Sequence, residues 1–410
     1  MIVRDKQFYK FSAYGFLKNL RFFDPFIILF FREMGMSFLQ IGVLFSIREV
    51  STNILEIPTG VFADAYGRRK SMIFSFLSYI VSFCIFYFLP IFWMYAVAMV
   101  CFAFGEAFRT GTHKAMIMEY LRLKNMTDFK VEYYGHTRGA SQMGSAVSSL
   151  IAAALVFYIG GYRIVFLASV VPYVFGLFLM MSYPKELDGT ESRSERQSGA
   201  MLLQIRETLK SFLKMFSNRQ VVKALFNSAV YDAFHKTVKD YLQPILKALV
   251  ISLPVMLSLQ QGQRIAVLVG ITYFLIYLLT SYASRKSSLF VKKTASLKRA
   301  VNATFLMGAV VLVATGVFTR TNFQIVAVFL FLLLYVIENL RRPIMVSYIS
   351  DRIANDVMAT GLSAESQLKT VLMAALAPAI GYLVDRFGLG NALIIAGITM
   401  IGTSFALKIE

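Results

Sequence analysis

Twelve stretches of this chain read as helices that cross a lipid bilayer. A helix rises about 1.5 Å per residue, so about 20 apolar residues cover the hydrocarbon core. Such stretches lie at roughly 11–33, 38–62, 71–90, 92–120, 139–159 and 163–182. After a polar interruption six more follow, at roughly 221–248, 263–283, 300–319, 323–349, 364–384 and 390–408. Lipid offers the backbone no water, so spans of this kind must bond internally. The seventh is the most polar, because Lys236, Lys239 and Asp240 interrupt it. Of the 410 residues, 57% are hydrophobic and only 16% charged, less charge than a soluble chain of this length carries. The expected fold class is an all-α membrane protein with two six-helix bundles, 1–183 and 221–410, joined by a cytoplasmic linker, 184–220.

The charges assign the sides. A net charge of +19 would suggest a nucleic-acid partner in a soluble protein. Here the bases gather in alternate loops: Arg68 to Lys70, then Arg122, Lys124 and Lys130, then the linker, then Arg285, Lys286, Lys292, Lys293, Lys298 and Arg299. The intervening loops are short and carry few, such as Arg163, Arg264 and Arg320. The positive-inside rule then places the base-rich loops and both termini in the cytoplasm, in the cell inner (plasma) membrane, with no nucleic acid implied. The start, Met1 to Lys10, does not read as a cleavable signal. Within the linker, residues 186–199 are polar, and Met201 to Phe216 has amphipathic periodicity suited to the inner leaflet.

The halves repeat weakly. Glu106-x-x-Arg109 is followed by Glu119, and Glu338-x-x-Arg341 by Asp351, at identical spacing. Asn19 and Asp24 match Asn227 and Asp232.

Charges within membrane spans are costly, at least about 2.5–3.5 kcal/mol each, and tend to line cavities or to pair. Arg21, Asp24, Arg48, Glu49, Glu56, Glu106, Arg109, His113, Asp232, His235, Glu338 and Arg341 all fall in such positions. Arg21 and Asp24, Glu106 and Arg109, and Glu338 and Arg341 are each three apart, so each pair shares a helix face. Glu106, Arg109 and His113 are expected to form one stripe. Burial disfavours the charged form of a carboxylate, which suits a group that loads and unloads protons. Asp24, Glu106, Asp232 and Glu338 are therefore the candidate proton-coupling residues. Arg21, Arg109, His113, His235 and Arg341 are the candidate substrate contacts. Fixed ion pairs that set helix register are the alternative role for the same charges. The two cysteines, Cys84 and Cys101, imply no disulfide framework, and no metal site or cofactor is expected.

Between the second and third stretches stands Gly60-Val-Phe-Ala-Asp64-Ala-Tyr-Gly67-Arg68-Arg69-Lys70. Gly60 permits close approach of a neighbour, Gly67 a positive φ, and Asp64 can meet a helix dipole or a base. This loop resembles the pattern G-x-x-x-D-[RK]-x-G-[RK]-[RK] of the major facilitator superfamily. It matches five of the six specified positions, with Ala65 in place of a base. Around Glu106 the fourth stretch is similar to a bacterial, multidrug-efflux-like branch of that superfamily. The fifth lacks the G-x-x-x-G-P-x-x-G-G run of its drug/proton antiporters.

The resemblance implies a pseudo-symmetric twelve-helix fold working by alternating access. The first, fourth, seventh and tenth helices would line the path, and Gly60, Asp64, Gly67, Arg68 and Arg69 would act as the conformational switch. No enzyme constellation and no nucleotide-binding loop is present, so an ion gradient supplies the energy. The expected function is proton-coupled export of a small amphipathic or anionic organic compound by a monomer in the bilayer. Two alternatives stay open: proton-coupled uptake of an anionic nutrient, and a non-transporting receptor or assembly factor.

Overall fold

The computed structural model describes residues 5–188, 219–254, 256–352 and 358–409. The amphipathic segment expected at Met201 to Phe216 lies outside the described residues. All regular structure among the described residues is helical, and it resolves into twelve spans. Eight of these are single helices: Phe38–Tyr66, Arg68–Phe88, Lys130–Ile159, Ile164–Met181, Gln261–Arg285, Leu297–Arg320, Gln324–Ser350 and Leu389–Ala406. The eleventh span is the helix Met358–Phe387.

Three spans are broken. The first is Lys6–Leu17 and Ile27–Glu33, with a 3-10 turn at Asp24–Phe26. The fourth is Phe92–Arg109 and Thr112–Leu123, and the seventh Arg219–Val238 and Leu242–Ser252. Two of the breaks have a local cause. Pro25 offers no backbone N–H to continue a helix. Gly111, at φ 77°, takes a conformation that other residues avoid. Where the first span unwinds, the freed backbone finds side chains. Ser169 Oγ accepts from Phe22 N at 3.2 Å, and Lys18 O accepts from Tyr173 OH at 2.9 Å.

Among the described residues, nine spans are long and apolar enough to cross a membrane by length and composition; the first, second and seventh are not among them. The first and seventh are interrupted, and the second carries Arg48, Glu49 and Glu56. Large apolar side chains such as Trp93, Phe175 and Phe329 stand exposed, as lipid-facing groups do.

The chain divides into two compact units. One takes in the described residues of Met1–Met34, Ile47–Arg196 and Ser258–Phe274, the other those of Gly35–Ser46, Gln197–Leu257 and Leu275–Glu410. The division departs from the boundaries 183 and 221 at two places. The start of the second span groups with the second unit, and the start of the eighth with the first. Aromatic rings fill the first unit: Phe23 stacks on Phe166 at 5.2 Å, and Phe86 on Phe166 at 4.6 Å. The second unit packs aliphatic side chains instead, among them Val221, Val301, Ile344 and Ile349.

Candidate functional site

In the first unit the unwound stretch of the first span carries Arg21 to the fourth span. Its Nη2 bonds Glu106 Oε1, and Arg109 Nη2 bonds the other oxygen of the same carboxylate. Each guanidinium also meets a tyrosine: Arg21 Nε donates to Tyr173 OH at 3.1 Å, and Arg109 Nε to Tyr79 OH at 3.2 Å. Arg21 further lies over the rings of Phe102, at 5.3 Å, and Tyr79, at 5.8 Å. Lys18 joins the group, its Nζ 5.4 Å from the Tyr14 ring and within electrostatic reach of Arg21, Arg109 and Glu106. Two guanidinium groups thus share one carboxylate, with Lys18 nearby.

This arrangement corrects two expectations. Arg21 bonds Glu106, because the backbone is not helical between Arg21 and Asp24; Asp24 opens the 3-10 turn and acts on Arg21 electrostatically. His113 does not continue the Glu106–Arg109 stripe, because the helix breaks at Gly111. The imidazole is buried, stacked on Tyr14 at 3.6 Å, with Nε2 3.2 Å from Tyr183 OH.

The second unit uses the repeated spacing differently. Arg341, 1% exposed, donates to Val301 O at 2.6 Å, to Thr304 Oγ1 at 3.0 Å and to Asn227 Oδ1. Its guanidinium lies 4.5 Å from the Tyr231 ring centroid. These bonds tie the seventh, ninth and tenth spans together and leave Glu338 unpaired with its expected partner. Glu338 is buried, and its Oε2 has no hydrogen-bond partner among the described residues. Asp232, half-buried, is an electrostatic neighbour of Glu338. His235 is buried edge-on to Tyr335 at 5.4 Å.

At the loop after the second span, Gly67 has φ 100° and heads the third span. Asp188 caps that helix, accepting from Arg69 N at 2.6 Å, and a Cβ on Gly67 would press within 2.9 Å of its carboxylate. Arg69 donates to Tyr183 O at 3.1 Å, and Arg68 stands 3.9 Å from Glu119. Asp64 is exposed. An added Cβ on Gly60 would meet nothing within 4 Å, so the close approach expected there is not made.

Sequence reasoning passed over Lys18, Tyr79 and Tyr173. The tyrosines are hidden among 21 of their kind. Lys18 could have been found, since it stands three residues before Arg21 and directly beside Asn19.

The sequence model of the Major Facilitator Superfamily matches residues 19–366. A relative from Bacillus subtilis (strain 168), the "Uncharacterized MFS-type transporter YxaM", is 28% identical over 251 residues, which is 59% of this chain. The chain covers 58% of that relative's length. Among solved structures, a mutant of the nucleoside transporter NupG is similar with a TM-score of 0.79 at 12% identity, covering 98% of each chain. A D-xylose-proton symporter is similar with a TM-score of 0.71 at 13% identity, covering 98% of this chain and 96% of that one. At such identities the likeness to these structures is one of fold.

Proposed function

The chain belongs to the major facilitator superfamily, and from that premise we propose that it exports a small anionic or amphipathic organic compound in exchange for protons. One observation carries the substrate class: Arg21 and Arg109 converge on the single carboxylate of Glu106, leaving the cations in excess. Arginine holds its charge in any state of the cycle and offers planar, paired donors to a carboxylate or phosphate. An incoming anion would meet an excess of cations already oriented by Tyr79 and Tyr173. Asn227, Thr304 and the Val301 carbonyl hold both terminal nitrogens of Arg341, while its Nε is buried without a partner among the described residues; we assign this side chain to bracing rather than to substrate.

For proton coupling, Glu338 is the leading candidate. When protonated, a carboxyl group becomes a donor, and its Oε2 is buried without a partner among the described residues. Asp232 nearby would share the proton, while Asp24 and Glu106 hold secondary places. Gly60, Asp64, Gly67, Arg68 and Arg69 would form the switch that alternates access to the site. The termini would be cytoplasmic and the working unit a monomer in the inner membrane. Export follows from the likeness of the fourth span to the efflux-like branch; the same basic cluster equally suits uptake of an anionic nutrient, which is the second reading.

The test is a thermal-shift screen of the purified full chain against sulfate, phosphate, benzoate, citrate and tetraphenylphosphonium, at mildly acidic and mildly alkaline pH. An anion should stabilise the protein in a pH-dependent way, and Arg109→Lys should remove the effect. Stabilisation by the hydrophobic cation alone would overturn the anionic reading. Flux of the stabilising compound in everted and right-side-out vesicles then decides direction.

A further inference from the structure

The eleventh span ends in Gly381-Tyr-Leu-Val-Asp385-Arg386-Phe-Gly388. Its pattern, G-x-x-x-D-R-x-G, has the spacing of Gly60, Asp64 and Gly67, and it carries the base that Ala65 lacks. The backbones agree as well. Gly388, at φ 82° and ψ 159°, heads the helix Leu389–Ala406, just as Gly67, at φ 100° and ψ 143°, heads Arg68–Phe88. With twelve spans, the ends of the second and the eleventh fall on opposite faces of the membrane.

The acid of this second copy is engaged. Asp385 Oδ1 accepts from Phe38 N at 2.9 Å and Oδ2 from Leu39 N at 2.7 Å, capping the start of the second span. Ser37 and Gln40 complete the cap reciprocally: Gln40 N donates to Ser37 Oγ at 3.2 Å, and Ser37 N to Gln40 Oε1 at 2.9 Å. Below the cap the two helices touch backbone to backbone. A Cβ on Gly381 would come within 2.2 Å of Phe38 O, and one on Gly42 within 2.3 Å of Ala377 O. One turn further on, Ser46 Oγ donates to Ala374 O at 2.5 Å. That turn is where the compact unit changes, between Ser46 and Ile47.

We infer that Asp385 is a releasable clasp of the transport cycle, held on the start of the second span in one state and let go in another. The inference rests on the reading of this chain as an alternating-access transporter. The helix Phe38–Tyr66 belongs to one unit up to Ser46 and to the other from Ile47. When the units move, either this helix bends at that junction or the clasp opens. Sharp helix bends need proline, paired small residues or a bulge. Residues 43–51 hold no glycine or proline, and the helix is continuous through them; its proline, Pro58, lies well past the junction. The clasp is the weaker element, because its bonds to Phe38 and Leu39 are solvent-exposed and water can replace the carboxylate at both amides.

Spin labels at Leu39→Cys and Tyr382→Cys, both exposed positions, report the clasp directly in lipid nanodiscs. Cys84 and Cys101 are replaced by serine in the full chain. Continuous-wave and pulsed resonance should give two distance populations. Asp385→Ala should raise the ratio of long to short about fivefold, the scale of a lost helix cap. Asp385→Asn keeps one acceptor oxygen and should fall between. A single short population unchanged by either substitution would make this a permanent joint and overturn the inference, as would a single long population in the unsubstituted clasp. Should Asp385→Ala fail to fold, the asparagine variant decides alone. No substrate enters this measurement, so it can fail while the anion screen succeeds, and the reverse.

Discussion

Glutamate precedes arginine by three residues in both the fourth and the tenth span, yet the two units use that spacing in opposite ways. In the first unit, Glu106 holds Arg109 and Arg21 together, and each guanidinium turns its Nε to a tyrosine hydroxyl. In the second, Arg341 turns away from Glu338 to Asn227, Thr304 and a backbone carbonyl. Spacing along a helix sets which side chains can meet; the neighbours decide which do. Arg21 reaches Glu106 because the first span is unwound beside it, whereas the tenth span runs unbroken past side chains and carbonyls that accept from Arg341. The first cluster therefore concentrates charge, and the second leaves a carboxylate oxygen unused.

Three substitutions press on this contrast. The largest effect is expected from Glu106→Gln, which leaves Arg21 and Arg109 without a counter-charge in a partly buried cluster. Stability should fall by about 3 kcal/mol, the usual scale for breaking such a pair, read from unfolding of the purified chain in detergent. If instead it is unchanged, the two arginines do not depend on Glu106 and the first cluster is no tighter than the second. Arg341→Lys comes next, at about 2 kcal/mol, because an ammonium cannot serve Val301, Thr304 and Asn227 in the geometry of the guanidinium fork. A neutral outcome there would move Arg341 from bracing to substrate. Glu338→Gln should cost the least, under about 1 kcal/mol, since it removes no hydrogen bond at Oε2. The pH dependence of anion binding should vanish in the same variant, and its survival would place the proton elsewhere.

The count and order of spans were legible because hydropathy over about 20 residues is a strong signal. So was the turn at Gly67, where the reversal between two apolar runs called for a positive φ. The breaks were not. Gly111 lies inside the fourth stretch, and glycine is tolerated within membrane helices, so nothing distinguished it from a packing residue. The consequences propagated: with the fourth span read as continuous, His113 was placed on a stripe it does not occupy, and with the first read as continuous, Asp24 was given the partner that Glu106 has. Asp385 was missed for another reason. Its cap lies on amides 346 and 347 residues away, and no local pattern reveals so distant a contact.

The first and seventh spans are interrupted, and the second carries Arg48, Glu49 and Glu56. Charged groups within such spans are costly in lipid and settle there when neighbours shield them. Assembly of the first unit in the bilayer is thus expected to be mutual: the fourth span gives Arg21 its counter-charge, and the first gives Glu106 its second guanidinium. Neither span would rest in lipid as well without the other, so the two are expected to enter and pack together.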